Sequence, residues 1–369
     1  MGINHLRKLL DTTKTVLGDN NIIRTVAIDS SIYLTRFVYN SNSDNYAGFI
    51  INSINFIIKL TQLNCMPIFV LDGKSGDEKK HTIEKRQNIK HKAKTQIQEL
   101  ELELLRTNNL TDKYEIRKKI YQLCRKCQSL TKQHIKIFKN ILTLLSIPYI
   151  HCKGEADGIC SSLVKQGFAE VVMTNDTDII TYGCPRTFQN FDFNDNTIND
   201  IVLDDLLQTL GISYYQFVDM CIILGNDYNP PMFICSPQYA LECIKQYVTI
   251  ENIIANLKEI TKNKNYHIHI PKNFDYVKIR KMFINSENDT NIKDNVQDSN
   301  YDKITSHQLF YGGNVLKLKT FLQDHGLSPQ QVNDKTRFLR QVVIANHNRY
   351  KVSNTSVPFN LKKLQLFLQ

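Results

Sequence analysis

The sequence predicts an α/β fold: a mostly parallel central sheet with helices on both sides. Three observations carry that reading. Short apolar runs at 25–28 (TVAI), 66–71 (MPIFVL) and 171–173 (VVM) alternate with stretches of helical period, the β-α-β pattern of a parallel sheet. The run 171–173 is apolar throughout, as in a buried parallel strand. From residue 203 onward the helical period takes over.

The totals agree with a globular protein. At 369 residues the chain is long enough for a large core, and Gly and Pro are sparse at 14 and 9. No apolar run reaches the roughly 20 residues of a membrane span. The best candidate, 47–60, is interrupted by Asn52, Ser53 and Asn55 and ends at Lys59. His5, Arg7 and Lys8 among the first leucines do not make a signal peptide, and Leu6 stands where myristoylation needs Ser or Thr. These features predict an intracellular protein with reduced thiols among its nine cysteines. Cys124 and Cys127, with His134 nearby, have a metal-like spacing. With no second such pair, and in a helical pattern, they read as helix-face cysteines rather than zinc ligands.

Taken in order, 2–10 reads as a short helix and 25–28 as the first strand, ending at Asp29. Helices follow at 31–39 and 47–63, then the second strand, ending at Asp72. Two long charged helices are predicted over about 77–106 and 112–145. A short strand at 147–150 precedes a helix opened by Gly154-Glu155-Ala156-Asp157. After the strand at 171–173 come Asp176 and Asp178, a β pair at 186–191 and 198–202, and helices at 203–210, 214–224, 239–247 and 250–260. Residues 285–303 are polar and turn-rich and read as a linker, with two more helices around 305–323 and 328–347.

The net charge of +10 is localised. Residues 74–139 hold 18 Lys and Arg against 8 Asp and Glu, an excess that equals the charge of the whole chain. Lys79, Lys80, Lys85, Arg86, Lys90, Lys92 and Lys94 crowd the first long helix, pointing to a polyanion contact. Asp29, Asp72, Asp176 and Asp178 each follow a strand, and parallel strands joined by right-handed crossovers present their carboxyl ends at one edge. Glu155 and Asp157, at a helix start beside the same sheet, join them. Any one of these can be an ordinary turn or cap residue. Asp227, at a helix end where negative charge is disfavoured, is the least cap-like. Seven carboxylates at one edge repel, each close pair by about 1 kcal/mol in bulk water. A fold keeps them when cations neutralise them, and oxygen ligands select Mg²⁺ or Mn²⁺. Acids that hold metal beside a basic segment predict hydrolysis of nucleic acid.

From MGINHLRKLL to about residue 260 the chain resembles the structure-specific 5′ nucleases of the flap endonuclease/XPG family. The motifs are VAIDSS, FVLDGK, GEADG, TNDTD and LGNDY, in the family's order. The resemblance implies a PIN-like 5′ nuclease fold with a helical arch and a helix-hairpin-helix-type DNA-binding region. It divides the chain at 1–105 (nuclease region and start of the arch), 106–139 (rest of the arch), 140–228 (internal nuclease region), 229–284 (DNA-binding region), 285–303 (linker) and 304–369 (C-terminal helices and tail). It implies a first Mg²⁺ served by Asp29, Asp72, Glu155 and Asp157, and a second by Asp176, Asp178 and Asp227. Lys79 and Arg86 would meet the scissile phosphate. Gly2 would lie near DNA, with Lys80, Lys85, Lys90 and Lys92 as further contacts. The expected substrate is branched or flapped DNA.

The sequence also departs from the family. Ile234 and Ser236 replace the glycines of the phosphate- and K⁺-holding hairpin, leaving Pro237, and Gln238-Tyr239 replace basic residues. Thr35 stands at the base-stacking tyrosine, with Tyr33 and Phe37 nearby, and Asp157 replaces a usual Glu. The tail 362–369 carries no sliding-clamp motif.

Overall fold

A computed structural model describes residues 2–3, 5–10, 13–18, 24–41, 46–74, 80–234, 236–261, 267–268, 270–271, 274–285, 295–300 and 314–353. Strand β1 (Thr13–Val16) is followed by β2 (Arg24–Asp29), and Asp29 then caps helix α1 (Ser30–Tyr39) by accepting from the Ser31 amide. Helix α2 (Ala47–Gln62) leads into β3 (Cys65–Leu71), which is buried at every position, as a strand covered on both faces must be.

The basic segment forms an antiparallel hairpin of α3 (Lys80–Arg106) and α4 (Leu110–Cys127), with Asn109 capping α4. The single helix expected over 112–145 is in fact two. After a break at 128–131, α5 (Lys132–Leu144) starts on a capping box in which His134 does the work usually given to Glu or Gln. That substitution hid the boundary.

The sheet resumes with β4 (Tyr149–Cys152), α6 (Ala156–Lys165), β5 (Val171–Met173), the single-turn α7 (Asp178–Thr181), and the hairpin β6 (Arg186–Gln189) and β7 (Thr197–Val202). Helices α8 (Leu203–Leu210) and α9 (Tyr214–Leu224) follow. Strand β8 (Phe233–Ile234) then leads to α10 (Pro237–Tyr247), α11 (Ile250–Ala255), α12 (Leu257–Ile260), β9 (His267–Ile268) and α13 (Tyr276–Asn285). An edge strand β10 (Val296–Ser299) precedes the last two helices among the described residues, α14 (Val315–Asp324) and α15 (Pro329–Ser353).

The eight-stranded sheet has the order β1-β7-β6-β5-β2-β3-β4-β10. Strand β2 pairs in parallel with β3 (Asp29 opposite Val70) and with β5 (Ile28 opposite Met173); β3–β4 and β5–β6 are parallel too. The outer pairings, β6–β7, β1–β7 and β4–β10, are antiparallel. The sheet is therefore mixed, parallel at its centre and antiparallel at both edges. The centre is the part that sets the site, because the carboxyl ends of β5, β2, β3 and β4 emerge side by side.

Strand β10 lies within the stretch read as a linker. Its polar residues suit an edge: Asp298 meets Lys139 Nζ at 2.8 Å and His151 Nδ1 at 3.0 Å. Asn300, fully buried, continues the ladder with its side chain, accepting from the Tyr149 amide and donating to the Ile147 carbonyl. The core runs between sheet and helices through Phe49, Phe56, Phe69, Phe138 and Phe188, with Phe69 and Phe138 edge to face at 5.1 Å. Aromatic pairs of this kind add about 1 kcal/mol beyond the area they bury.

Candidate active site

The strand ends deliver the acids as expected. Asp29 ends β2 and is buried; its Oδ1 accepts from the Ser31 amide and its Oδ2 from Thr174 Oγ1 at 2.8 Å. Burial, with the charges of Asp72 and Asp176 beside it, raises its carboxyl from the ordinary 3.8 to about 7, and the bonds from Thr174 and Ser31 offset only part of that rise. One shift thus ties the ends of β2, β3 and β5 electrostatically.

Asp72 follows β3, and its Oδ1 accepts from the Ala156 amide at 2.7 Å, capping α6 from another strand. Gly73 makes that approach possible. Its amide donates to the Gly154 carbonyl at 2.7 Å, and a Cβ there would stand 2.1 Å from the Cys152 carbonyl oxygen. Glu155 occupies the N-cap position of α6 but makes no capping bond; its Oε2 accepts from the Tyr228 hydroxyl. Asp157 is buried in the first turn of the same helix.

In the loop after β5, Asp176 accepts from the Asp178 amide at 3.2 Å, and Asp178 opens α7 fully buried. Asp227 lies three residues past α9. Its loop is shaped by Asn226, whose Oδ1 accepts from the amides of Tyr228 and Asn229, and by Asn229, which donates to the Ile222 and Pro230 carbonyls. Tyr228 carries this loop to Glu155. Tyr182, whose hydroxyl lies 3.0 Å from that of Tyr228, and Tyr228 both have phenols pushed up, first by burial and then by the surrounding acids, so both remain protonated donors.

The N-terminus closes the loop from outside. The Ile3 amide donates to Thr177 Oγ1 at 2.8 Å and Arg7 Nη2 donates to the Asn175 carbonyl at 2.8 Å. Gly2 has φ +87°, and a Cβ on it would lie 2.3 Å from Asp176 Oδ1. Gly2, expected beside DNA, therefore packs on the acid loop itself.

The predicted basic contacts divide. Lys79 lies outside the described residues. The backbone of Lys80, Lys85 and Arg86 runs in the first turns of α3. Lys92 is exposed, whereas Lys90 Nζ donates to Ser129 Oγ and so fastens the arch to the 128–131 break. Arg125 does the same for the foot of α4: its guanidinium lies over Tyr39 and donates to the Tyr39 carbonyl and to Asn40 Oδ1. Thr35 is exposed, while Tyr33 and Phe37 are buried against Phe56, so neither aromatic offers a stacking face. In the altered hairpin, Ile234 pairs with His267, and the Ser236 hydroxyl takes the Tyr239 amide at the start of α10. A side chain thus occupies a helix N-terminus that would otherwise offer its amides to an anion.

Asp29, with the charges of Asp72 and Asp176 beside it, forms an all-oxygen, mutually repelling group at this edge, which suits a hard divalent cation. Among the described residues no three His, Cys, Asp or Glu side chains form a ready-made ion cage. A hydrated divalent cation, which keeps several waters and needs few direct carboxylates, fits such an open arrangement. Local sequence patterns gave no site role to Thr174, Tyr182 or Tyr228. Tyr228 stood in a quoted motif without a role, and only its pairing with Glu155, 73 residues away, supplies one. Among the described residues no helix is long and apolar enough to cross a membrane.

Comparison with known proteins agrees with this geometry. A family model of the XPG N-terminal domain matches residues 1–93, and one of the XPG I-region matches residues 146–227. These matches hold every acid named above and leave out most of the arch. Flap endonuclease 1 of Entamoeba histolytica is 31% identical over 305 residues, covering 78% of this chain and 76% of that protein. The catalytic core of Rad2, solved in complex with DNA substrate, superposes with a TM-score of 0.64 at 16% identity, over 92% of this chain and 100% of that one. Human GEN1, solved with Holliday junction DNA, gives 0.62 at 16% identity, over 93% and 78%. At those identities the two structures establish the fold, and the sequence relative establishes the kinship: the chain belongs to the flap endonuclease/XPG family of structure-specific nucleases.

Proposed function

We propose that this protein hydrolyses phosphodiester bonds in flapped, gapped or branched DNA, inside the cell, during replication, repair or recombination, with Mg²⁺ as its metal and Mn²⁺ able to substitute. The observation that carries the proposal is the gathering of acids at the carboxyl edge of four parallel strands, with Asp29 held near 7 by burial and by Asp72 and Asp176. Asp29, Asp72, Glu155 and Asp157 would hold one ion, and Asp176, Asp178 and Asp227 a second. When bound, two such ions activate water and offset charge on the attacking and leaving oxygens of an in-line displacement.

The chain's own residues do the rest. Lys79 and Arg86 would neutralise the scissile phosphate. The basic α3–α4 hairpin draws the polyanion to the site, and its contribution falls steeply as salt rises. Thr174 keeps Asp29 oriented, and Asp72 fixes the start of α6 so that Glu155 and Asp157 face the same edge.

A labelled 5′ flap incubated with Mg²⁺ or with EDTA tests the reading, alongside Asp178→Ala. Mg²⁺-dependent cutting by the parent, lost in the variant while DNA binding persists, is expected. Equal cutting by a clean preparation of the variant sinks the assignment. Gap, nick, splayed-arm and four-way substrates rank the preferred structure, and a matched RNA flap separates this reading from a ribonuclease.

A further inference from the structure

The hydroxyls of Tyr182 and Tyr228 form a chain that ends on a carboxylate of the site. Tyr228 donates to Glu155 Oε2, and its hydroxyl lies 3.0 Å from that of Tyr182. A phenol has one hydrogen, and an ionised carboxylate can only accept. Tyr228 therefore spends its hydrogen on Glu155, and Tyr182 is the donor in the bond between the two phenols. The bonds run one way, from Tyr182 through Tyr228 to Glu155.

Both rings are held from behind by a helix outside the two nuclease regions. Phe283 of α13 packs edge-on against Tyr182 at 4.9 Å and against Tyr228 at 5.8 Å. Helix α13 is itself clamped: Arg280 donates two bonds to the buried Asp219 on α9, at 2.6 and 2.8 Å, and two more to Glu251 on α11. Rotation of either phenol is thereby restricted. Glu155, which could have capped its own helix, is turned away from that task, which Asp72 performs.

We infer that Tyr228, supported by Tyr182 and Phe283, is a positioning residue that orients Glu155 for the divalent cation, so that removing its hydroxyl lowers metal affinity rather than stability. The inference rests on the nuclease reading above. Partners of this kind, one step behind a metal ligand, typically change affinity by about 10- to 100-fold.

The test compares the 369-residue parent chain, Tyr228→Phe and Tyr182→Phe. Phenylalanine keeps the ring that packs on Phe283 and removes only the hydroxyl. Three quantities are read: Mg²⁺ binding by calorimetry without DNA, Mg²⁺ dependence of flap cleavage, and thermal unfolding in EDTA. For Tyr228→Phe we expect metal affinity about 10- to 100-fold weaker, a matching rise in the Mg²⁺ needed for half-maximal cutting, and recovery of most of the rate as Mg²⁺ is raised. Tyr182→Phe shifts the same quantities in the same direction by less, and tests the relay even if Tyr228→Phe folds poorly. In a Glu155→Gln background, Tyr228→Phe adds no further loss of metal affinity.

Unchanged metal affinity in both phenylalanine variants overturns the inference, as does a loss of cutting that excess Mg²⁺ does not relieve. These outcomes are separable from failure of the nuclease reading itself, in which the parent would neither bind Mg²⁺ nor cut.

Discussion

Asp72 Oδ1 accepts a hydrogen bond from the Ala156 amide at 2.7 Å, tying the end of β3 to the start of α6 across 84 residues. One carboxylate therefore serves both as a helix cap and as a member of the acid edge. The two roles separate by mutation. Asp72→Ala is expected to lose cutting and about 1 kcal/mol of stability, the usual loss when a cap is removed. Asp72→Asn keeps an acceptor for the Ala156 amide, so unfolding stability returns while cutting does not. Thermal unfolding and flap cleavage of the two variants check this; recovery of cutting in the asparagine variant would remove Asp72 from the metal site.

Asp29 makes the metal-free protein sensitive to pH. Its carboxyl is raised from 3.8 to about 7 in the fold, so between those values the native chain holds a proton that the unfolded chain has released. Stability then falls as pH rises through that window. Denaturant unfolding in EDTA at pH 4, 5.5 and 7 should show this fall, less steep in Asp29→Asn. Saturating Mg²⁺ should weaken the trend in the parent, because the cation binds the deprotonated form.

Gly2 cannot carry a side chain without moving the acid loop. Its φ of +87° and a Cβ position 2.3 Å from Asp176 Oδ1 both argue against Ala. Gly2→Ala is expected to cut poorly while unfolding within about 1–2 kcal/mol of the parent, since the strain is local. Single-turnover cleavage and thermal melts measure the two effects. Parent-like cutting would show that the Gly2 contact is dispensable.

Arg280 satisfies Asp219, whose carboxyl burial still holds above its ordinary value despite the two bonds it accepts from Arg280 and the one from the Ile250 amide, and Glu251, whose carboxyl the same guanidinium lowers. Arg280→Ala leaves Asp219 buried without its ion partner and is expected to cost about 3 kcal/mol. Lysine, with a point charge in place of a planar fork, recovers only part. Denaturant unfolding of both variants is the measurement. A cost under 0.5 kcal/mol for Arg280→Ala would show that α13 is held by packing alone.

The parallel core and the acids along its edge were legible in local sequence. Apolar strands of three to seven residues, each ending at an acid or followed by one within three residues, bring their carboxyl ends to one edge when right-handed crossovers join them, which places Asp29, Asp72 and Asp176 together. The local charge excess likewise marked 74–139 as one basic body. Periodicity and capping rules read these features because they are short-range.

Other features depend on contacts made across the fold. Thr131 and His134 split a helix that periodicity joined, because a histidine ring replaced the usual carboxylate or amide. A polar stretch became the edge strand β10 once Lys139, His151 and the backbone flanking β4 were there to receive Asp298 and Asn300. Gly2 met Asp176, and Tyr228 met Glu155, across 174 and 73 residues. Such contacts leave no periodic trace, since their partners are neighbours only after the sheet has assembled.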